Sequence, residues 1–437
     1  MRKTLRGLVV ALAAVFFLAG TPTAFATPPL LDPQAGYQEL ASDFLVRNLQ
    51  AHDGLAVDGE GQPAYATTTY AIAALVAAGY NLDQAKASAQ ALLGTGEAFI
   101  GPPEEVGAKA TAIALTVLSL RLTDLDPTTF PVPAGTRDLI ADLTSAIHDD
   151  GSIGDWASAY GQGYALMALA AGGDSIPDKA IDWLVAQPCA DTASPGFGGF
   201  GFSPGSCEDV DPDSTALAVL GLLQANAQAK AGTTIDNAAA YLASIQDSSG
   251  GFVSPMAGVN ANTTGLVVSA LNASIRALVV PASSANLDKA RAFVLSLTYR
   301  CGGPADTLGA IAYDKATFST PIAQLDAATE SALVASTAQG MTGLYYAVVG
   351  QHGVEQSDGG NVCSFMGESN SSGNASHGTE TNPSQSATPS DQASDAGQSN
   401  TSDLIGGIPA WAWIAGSLVL LVIVVAGGVL IVRSRRQ

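Results

Sequence analysis

Basic side chains are scarce: 18 Lys and Arg stand against 39 Asp and Glu, a formal net charge of −21 over 437 residues. Arg2, Lys3, Arg6, Arg433, Arg435 and Arg436 sit in the two terminal segments, so the stretch between is more acidic still. Such a surface repels nucleic acid, which is excluded as a partner. Histidine is equally thin. His52, His148, His352 and His377 are scattered and no C-x-x-C spacing exists, which counts against a zinc centre built on cysteine and histidine. Long uncharged apolar runs are confined to the two ends of the chain.

Those ends carry address information. Arg2, Lys3 and Arg6 precede an apolar run from Leu8 to Leu18 and an Ala24-Phe25-Ala26 cleavage pattern, so residues 1–26 read as a signal peptide. Residues 408–432 are apolar and uncharged, long enough to span roughly 30 Å of hydrocarbon as a helix. Arg433, Arg435 and Arg436 follow directly, so 433–437 is expected in the cytoplasm and the rest outside, as a single-pass type I protein of the cell membrane. Residues 367–407 are rich in Ser, Asn, Thr and Gly, a composition that cannot offset its ordering entropy by burial. They predict a stalk about 35 Å long.

Four cysteines, Cys189, Cys207, Cys301 and Cys363, lie in the exported part, where oxidising conditions favour pairing. Three pairings are possible. Cys189 with Cys207, bracketing one Gly-rich loop, and Cys301 with Cys363 is the expected set.

Residues 30–365 form the ectodomain, and its units repeat. Similar loops occur at His148 to Ile153, at Gly198 to Phe202 and at Gln246 to Phe252, each flanked by helical patterns. The helix before each loop is apolar on one side, as with Ile181, Leu184 and Val185, with Trp183 assigned to the core. The helix after it, as in 214–223 and 263–271, is small and aliphatic nearly all round, the mark of burial on most sides. Asp213-Ser214-Thr215 and Asn262-Thr263-Thr264 read as helix N-caps. Pairing helices gives six hairpins, near 37–79, 81–122, 136–171, 177–226, 234–278 and 286–349. The expected fold is all-α, two concentric rings of helices, with an open solenoid as the geometric alternative.

Gln246 to Phe252 followed by Asn262-Thr263-Thr264 resembles the repeat of the prenyltransferase and squalene-oxidase families. The resemblance implies an (α/α)6 toroid. That superfamily spans terpene cyclases, prenyltransferase β-subunits, thioester domains and cobalamin carriers of the transcobalamin and intrinsic-factor type, so function must be argued from the site. A cyclase of this kind protonates its substrate with the middle Asp of a D-x-D-D motif. The nearest match, Asp209-Val210-Asp211-Pro212-Asp213, is interrupted by Pro212, and Asp213 reads as a cap. The inner helices are mainly Ala, Leu, Val and Thr rather than an aromatic cage for a carbocation. The zinc set of a prenyltransferase and the G-C-G-E-Q motif of a thioester domain are absent from the sequence.

What remains is a mouth where loops and helix N-termini gather, suited to polar ligand groups. Trp156, Tyr160, Phe197, Phe200, Phe202 and Phe252, with Asp213 and Asn262, are the candidate ligand residues there. Phe200 and Phe252 also suit a packing role between hairpins. Asp209 and Asp211 are a weak Ca²⁺ candidate, without the bidentate Glu of an EF-type loop. The expected function is a membrane-anchored binding protein that captures a small nutrient, a corrinoid by resemblance to the cobalamin carriers, for a membrane importer. The alternatives are a terpene cyclase-like or polysaccharide-processing enzyme, or a surface adhesion or scaffold module.

Overall fold

The structure, a computed structural model, describes residues 33–277, 284–301, 304–322, 325–345 and 347–353. The expected signal peptide, stalk, anchor and tail, and Cys363, lie outside the described residues. No helix among the described residues is long and apolar enough to cross a membrane.

Helices alternate between an outer and an inner position along the chain. The successive hairpins are α1 (Pro33–Ala51) with α2 (Tyr65–Ala78), then α3 (Leu82–Thr95) and the short α4 (Glu97–Ile100) with α5 (Val106–Leu122). They continue with α6 (Leu139–Ser145) and α7 (Ala159–Gly172), α8 (Asp178–Val185) and α9 (Pro212–Gln224), and α10 (Gln228–Ser244) and α11 (Ala261–Arg276). The last is α12 (Ser284–Ser296), the five-residue α13 (Lys315–Ser319) and α14 (Ala327–Tyr345). Two short antiparallel ribbons, Phe130–Val132 with Gly135–Arg137 and Phe252–Ser254 with Gly258–Asn260, decorate the loops.

The inner helices close on themselves. α2 packs on α5, α5 on α7, α7 on α9, α9 on α11, α11 on α14, and α14 back on α2, while α1 also packs on α14. The α-helical toroid is therefore a shut ring, and an open solenoid is excluded. Composition explains the difference between the two layers. α7 buries Tyr164 through Leu169 without interruption, whereas α8 buries Ala180, Ile181 and Leu184 and leaves Trp183 half-buried against the core. Inner helices touch neighbours on both sides, and small residues let them do so. A Cβ on Gly163 of α7 would run into the Leu217 carbonyl of α9.

One device recurs in five of the six hairpins. The loop between outer and inner helix is pinched by a β-bridge, as between Gln246 and Phe252 or Ile147 and Ile153. A backbone N–H of that loop then donates to an inner-helix side chain. The pairs are Ala56 to Thr68 at 2.9 Å, Ile153 to Gln162 at 2.9 Å, Phe200 to Thr215 at 2.8 Å, Phe252 to Thr264 at 3.0 Å and Ile311 to Thr337 at 2.8 Å. The same hydroxyl donates one turn back, Thr215 to the Asp211 carbonyl and Thr264 to the Asn260 carbonyl, so one Thr satisfies a buried loop and tightens its own helix. Just before the clamp, Gly250 takes φ +95° against the Lys289 carbonyl of the next outer helix, a place closed to any Cβ. These two requirements are what the repeated glycine-aromatic and threonine signatures encode.

Candidate functional site

The first turns of α7, α9 and α11 meet at one end of the ring, and the caps of α9 and α11 lie two residues earlier than the sequence suggested. Ser158, Asp211 and Asn260 are the N-caps, accepting from Gly161 N at 3.2 Å, Ser214 N at 2.7 Å and Thr263 N at 2.9 Å. Pro212 is the first helical residue, where a missing N–H costs nothing. The cap reading of Asp213 and Asn262 is thereby corrected. Tyr160, Asp213 and Asn262 instead hold equivalent second positions on three adjacent inner helices. Counted from Asp211, the chain reads D-x-D-S, with Asp213 as its middle carboxyl and Pro212 in the variable place.

Asp213 is half-buried as a residue, but its Oδ1 is shut from solvent and has no hydrogen-bond partner among the described residues. Burial first, and the nearby charge of Asp211 second, push its carboxyl up to about 7, against the opposing influence of the Thr263 hydroxyl. No Lys or Arg among the described residues counters them. Asp211 is raised too, by burial, although the bond from Ser214 N pulls the other way. At neutral pH the Asp213 carboxyl is thus divided between neutral and charged forms, a range in which it can give up a proton.

Four tyrosines feel the charge of Asp213, each raised chiefly by its own burial: Tyr70 of α2, Tyr160 and Tyr164 of α7, and Tyr313, which is pushed up to about 12. The Tyr70 and Tyr160 hydroxyls are hydrogen-bonded at 2.8 Å. The Tyr164 ring stands edge-on to Tyr160 at 5.2 Å and stacks near Tyr70 at 6.4 Å. Tyr313 arrives from the last hairpin, where its carbonyl accepts from Ala261 N at 2.7 Å. Tyr70, Tyr164 and Tyr313 were not singled out from sequence. The spacing of Tyr160 and Tyr164 on one helix face was a usable signal, whereas nothing local marks Tyr70 or Tyr313.

Deeper along the ring axis is a cavity of about 30 Å³, room for roughly two waters. Tyr70, Leu115, Tyr164, Leu266, Gln339 and Thr342 are among its lining residues. Asn262 lies one turn before Leu266 on the same face, and its buried Oδ1 also lacks a partner among the described residues.

The remaining candidates separate. Phe200 and Phe252 are fully enclosed behind the threonine clamps and offer no face to a ligand. Phe197 and Phe202 are half-buried in the loop closed by the Cys189–Cys207 disulfide, whose Cα atoms are 4.7 Å apart. Cys301 is also disulfide-bonded. Trp156, 48% exposed, stands on the rim two residues before the α7 cap. Asp209 and Asp211, the weak Ca²⁺ candidate, each have one carboxyl oxygen held by a backbone N–H. Asp211 is spent on the helix cap, while Asp209 accepts from Ser203 N at 3.0 Å. Burial acts upward on Asp209, but hydrogen bonds from Ser206 and Ser203 outweigh it and hold the carboxyl low. Among the described residues no group of three or more His, Cys, Asp or Glu is placed to hold a metal ion. A Ser-His-Asp arrangement does occur at Ser152, His148 and Asp155. Ser152 Oγ, however, donates to Asp150 at 2.7 Å and lies buried, so its proton and lone pairs serve the turn.

No protein-family model matches the chain, and no curated protein matches it. Among solved structures it is similar to a type II terpene cyclase from Scytonema in complex with geranylgeranyl dihydroxybenzoate, at 15% identity over 72% of this chain and 99% of that one, with a TM-score of 0.45. It is also similar to ent-copalyl diphosphate synthase from Streptomyces platensis, at 17% identity over 63% of this chain and 50% of that one, TM-score 0.39. A possible GH105 family member from Salmonella enterica matches at 12% identity over 74% and 98%, TM-score 0.43. At such identities and scores, function has to be argued from this chain's own residues.

Proposed function

We propose that the ring is a general-acid enzyme of the terpene cyclase-like kind, in which Asp213 protonates a neutral, apolar, unsaturated substrate. The observation that carries this reading is the Asp213 carboxyl: enclosed, held near neutral pH, and with an unpartnered Oδ1 at the mouth of the ring. Protonation breaks the substrate π bond, forms a C–H bond and leaves a carbocation beside the aspartate. The rings of Tyr70, Tyr160, Tyr164 and Tyr313 supply the negative faces that stabilise such a cation. Loss of a proton from the product cation restores the balance.

The environment also narrows the substrate. No Lys or Arg among the described residues acts on Asp213, which favours a neutral molecule over a diphosphate or a uronate. Cleaving a glycosidic bond calls for two working carboxyl groups, and Asp211, the nearer second one, is committed to capping α9. That weighs against the polysaccharide-processing alternative. The export signal and anchor, read from the sequence alone, put the reaction at the outer face of a membrane, where apolar substrates are at hand.

The test is turnover of an isoprenoid panel by the full chain, with products identified by mass spectrometry. Asp213→Asn is expected to abolish turnover while leaving the circular dichroism unchanged; full turnover by the variant sinks the reading.

Capture of a corrinoid or another nutrient for an importer is favoured by the exposed rim residue Trp156. The axial cavity, about 30 Å³, is a tenth of the ~300 Å³ that small-ligand pockets start from, so it holds neither a corrinoid nor an isoprenoid as it stands. A thermal-shift panel separates the two, since a ligand at 100 times its dissociation constant adds about 2.7 kcal/mol.

A further inference from the structure

The register of the inner helices orders their side chains by depth. Tyr160 and Asp213 occupy the second position of α7 and α9, at the mouth. Tyr164 is one turn deeper on α7, and Tyr70 lies level with it, stacked at 6.4 Å. The axial cavity begins at those two rings and continues past Ala73 and Ala74 of α2, Leu118 of α5 and Val349, and neither Asp213 nor Tyr160 lines it. A layer of tyrosine, Tyr70 and Tyr164, therefore stands between the mouth, where Asp213 lies, and a mostly apolar hollow that Asp213 does not line. The layer is held on both sides, by the Tyr70–Tyr160 hydroxyl bond at 2.8 Å and by the edge-on contact of Tyr160 with Tyr164 at 5.2 Å.

We propose that Tyr70 and Tyr164 are specificity-determining residues: their rings plug the bore beneath Asp213 and set how deep, and hence how long, an apolar substrate can reach. This rests on the reading of Asp213 as the reacting end, because depth is counted from there. The material around the plug suits the role. The wall mixes Leu115, Leu118, Leu266 and Val349 with Thr69, Gln339 and Thr342, and its larger, apolar part would accept a hydrocarbon chain. The Tyr70 hydroxyl is satisfied by Tyr160 rather than by the cavity wall, so the barrier consists of the rings themselves. Shortening either ring joins the mouth to the hollow without touching Asp213.

The experiment is calorimetric titration of the full chain with a homologous series of straight-chain alcohols, which needs no knowledge of the natural substrate. For the wild type, affinity is expected to stop rising at a short chain length. In Tyr70→Ala and Tyr164→Ala it should go on rising by about fourfold for each further methylene buried. Tyr70→Phe keeps the ring and should stop where the wild type stops. If Tyr164→Ala does not fold, Tyr70→Ala, at a half-buried position, carries the test. A wild type that gains affinity through the longest alcohols, or alanine variants that stop at the wild-type length, overturns the proposal. Loss of the acid reading is detected separately, by turnover in Asp213→Asn, and would leave the alcohol plateau where it is.

Discussion

Asp211 and Asp213, two residues apart at the start of α9, carry the same side chain in opposite roles: Asp211 accepts from Ser214 N at 2.7 Å, while Oδ1 of Asp213 has no partner among the described residues. The helix turn between them sends one carboxyl back to the backbone and the other into the ring. Their proximity also couples them, because the charge of Asp211 helps keep Asp213 protonated.

The raised Asp213 carboxyl predicts a pH dependence of stability with a definite sign. Its folded value, about 7, lies above the unfolded value of 3.8, so the folded state binds the proton more tightly. Its contribution is fully present below pH 4, fades as pH rises toward 7, and is absent above that. The loss is on the order of 2 kcal/mol, less than the full difference implies because the residue is only half-buried. Thermal melts of wild type against Asp213→Asn between pH 4 and pH 8 check this: the wild type should lose ground as pH rises, and parallel curves would refute it.

Replacing Asp211 separates its two jobs. Asp211→Asn keeps an N-cap acceptor but removes the charge, so Asp213 should release its proton at lower pH, and the alkaline limb of any rate profile should move the same way. Asp211→Ala additionally costs about 1 kcal/mol of stability through the lost cap. Carbon-13 titration of the Asp213 carboxyl reads the first effect, and a midpoint unmoved in Asp211→Asn counts against the coupling.

The threonine clamps predict an asymmetry between near-isosteres. Thr264→Val strands the buried Phe252 N–H and should cost about 1–3 kcal/mol, whereas Thr264→Ser keeps the acceptor and should cost less. Urea midpoints distinguish them; a larger loss in Thr264→Ser than in Thr264→Val would mean that the methyl packing, rather than the hydrogen bond, matters at this position.

Removing the Cys189–Cys207 disulfide should destabilise the ring by about 2–4 kcal/mol, since it closes a loop with a sequence separation of 18. Hydrogen exchange should rise in residues 190–206 and stay low in α9, which buries Ser214 through Leu223 regardless. Exchange that rises equally in both would show that the bridge supports the helix itself.

The small, evenly apolar inner helices, the one-sided outer helices and the repeated glycine-aromatic loops are local patterns, and each reports its own surroundings. An amphipathic helix must have a wet side, and a helix apolar all round must be covered. Six hairpins and a ring-like arrangement were therefore legible from residue order alone. The cap phase was not. Asp211 and Asp213, or Asn260 and Asn262, are both good cap residues at that spacing, and only the backbone turn around Pro212 and Ala261 decides which one bends back.

Closure of the ring and the character of its mouth belong to the tertiary structure for a further reason. Tyr70, Tyr160, Asp213 and Tyr313 come from four different hairpins, and the Tyr70–Tyr160 bond spans 90 residues of chain. No local pattern records which distant helix will lie alongside another. The sequence by itself determined that the inner helices would be buried, because each is small and apolar nearly all round. The contact of α14 with α2 decided that they enclose a space, and the desolvation within that space turned one of two similar aspartates into a carboxyl that holds its proton near neutral pH.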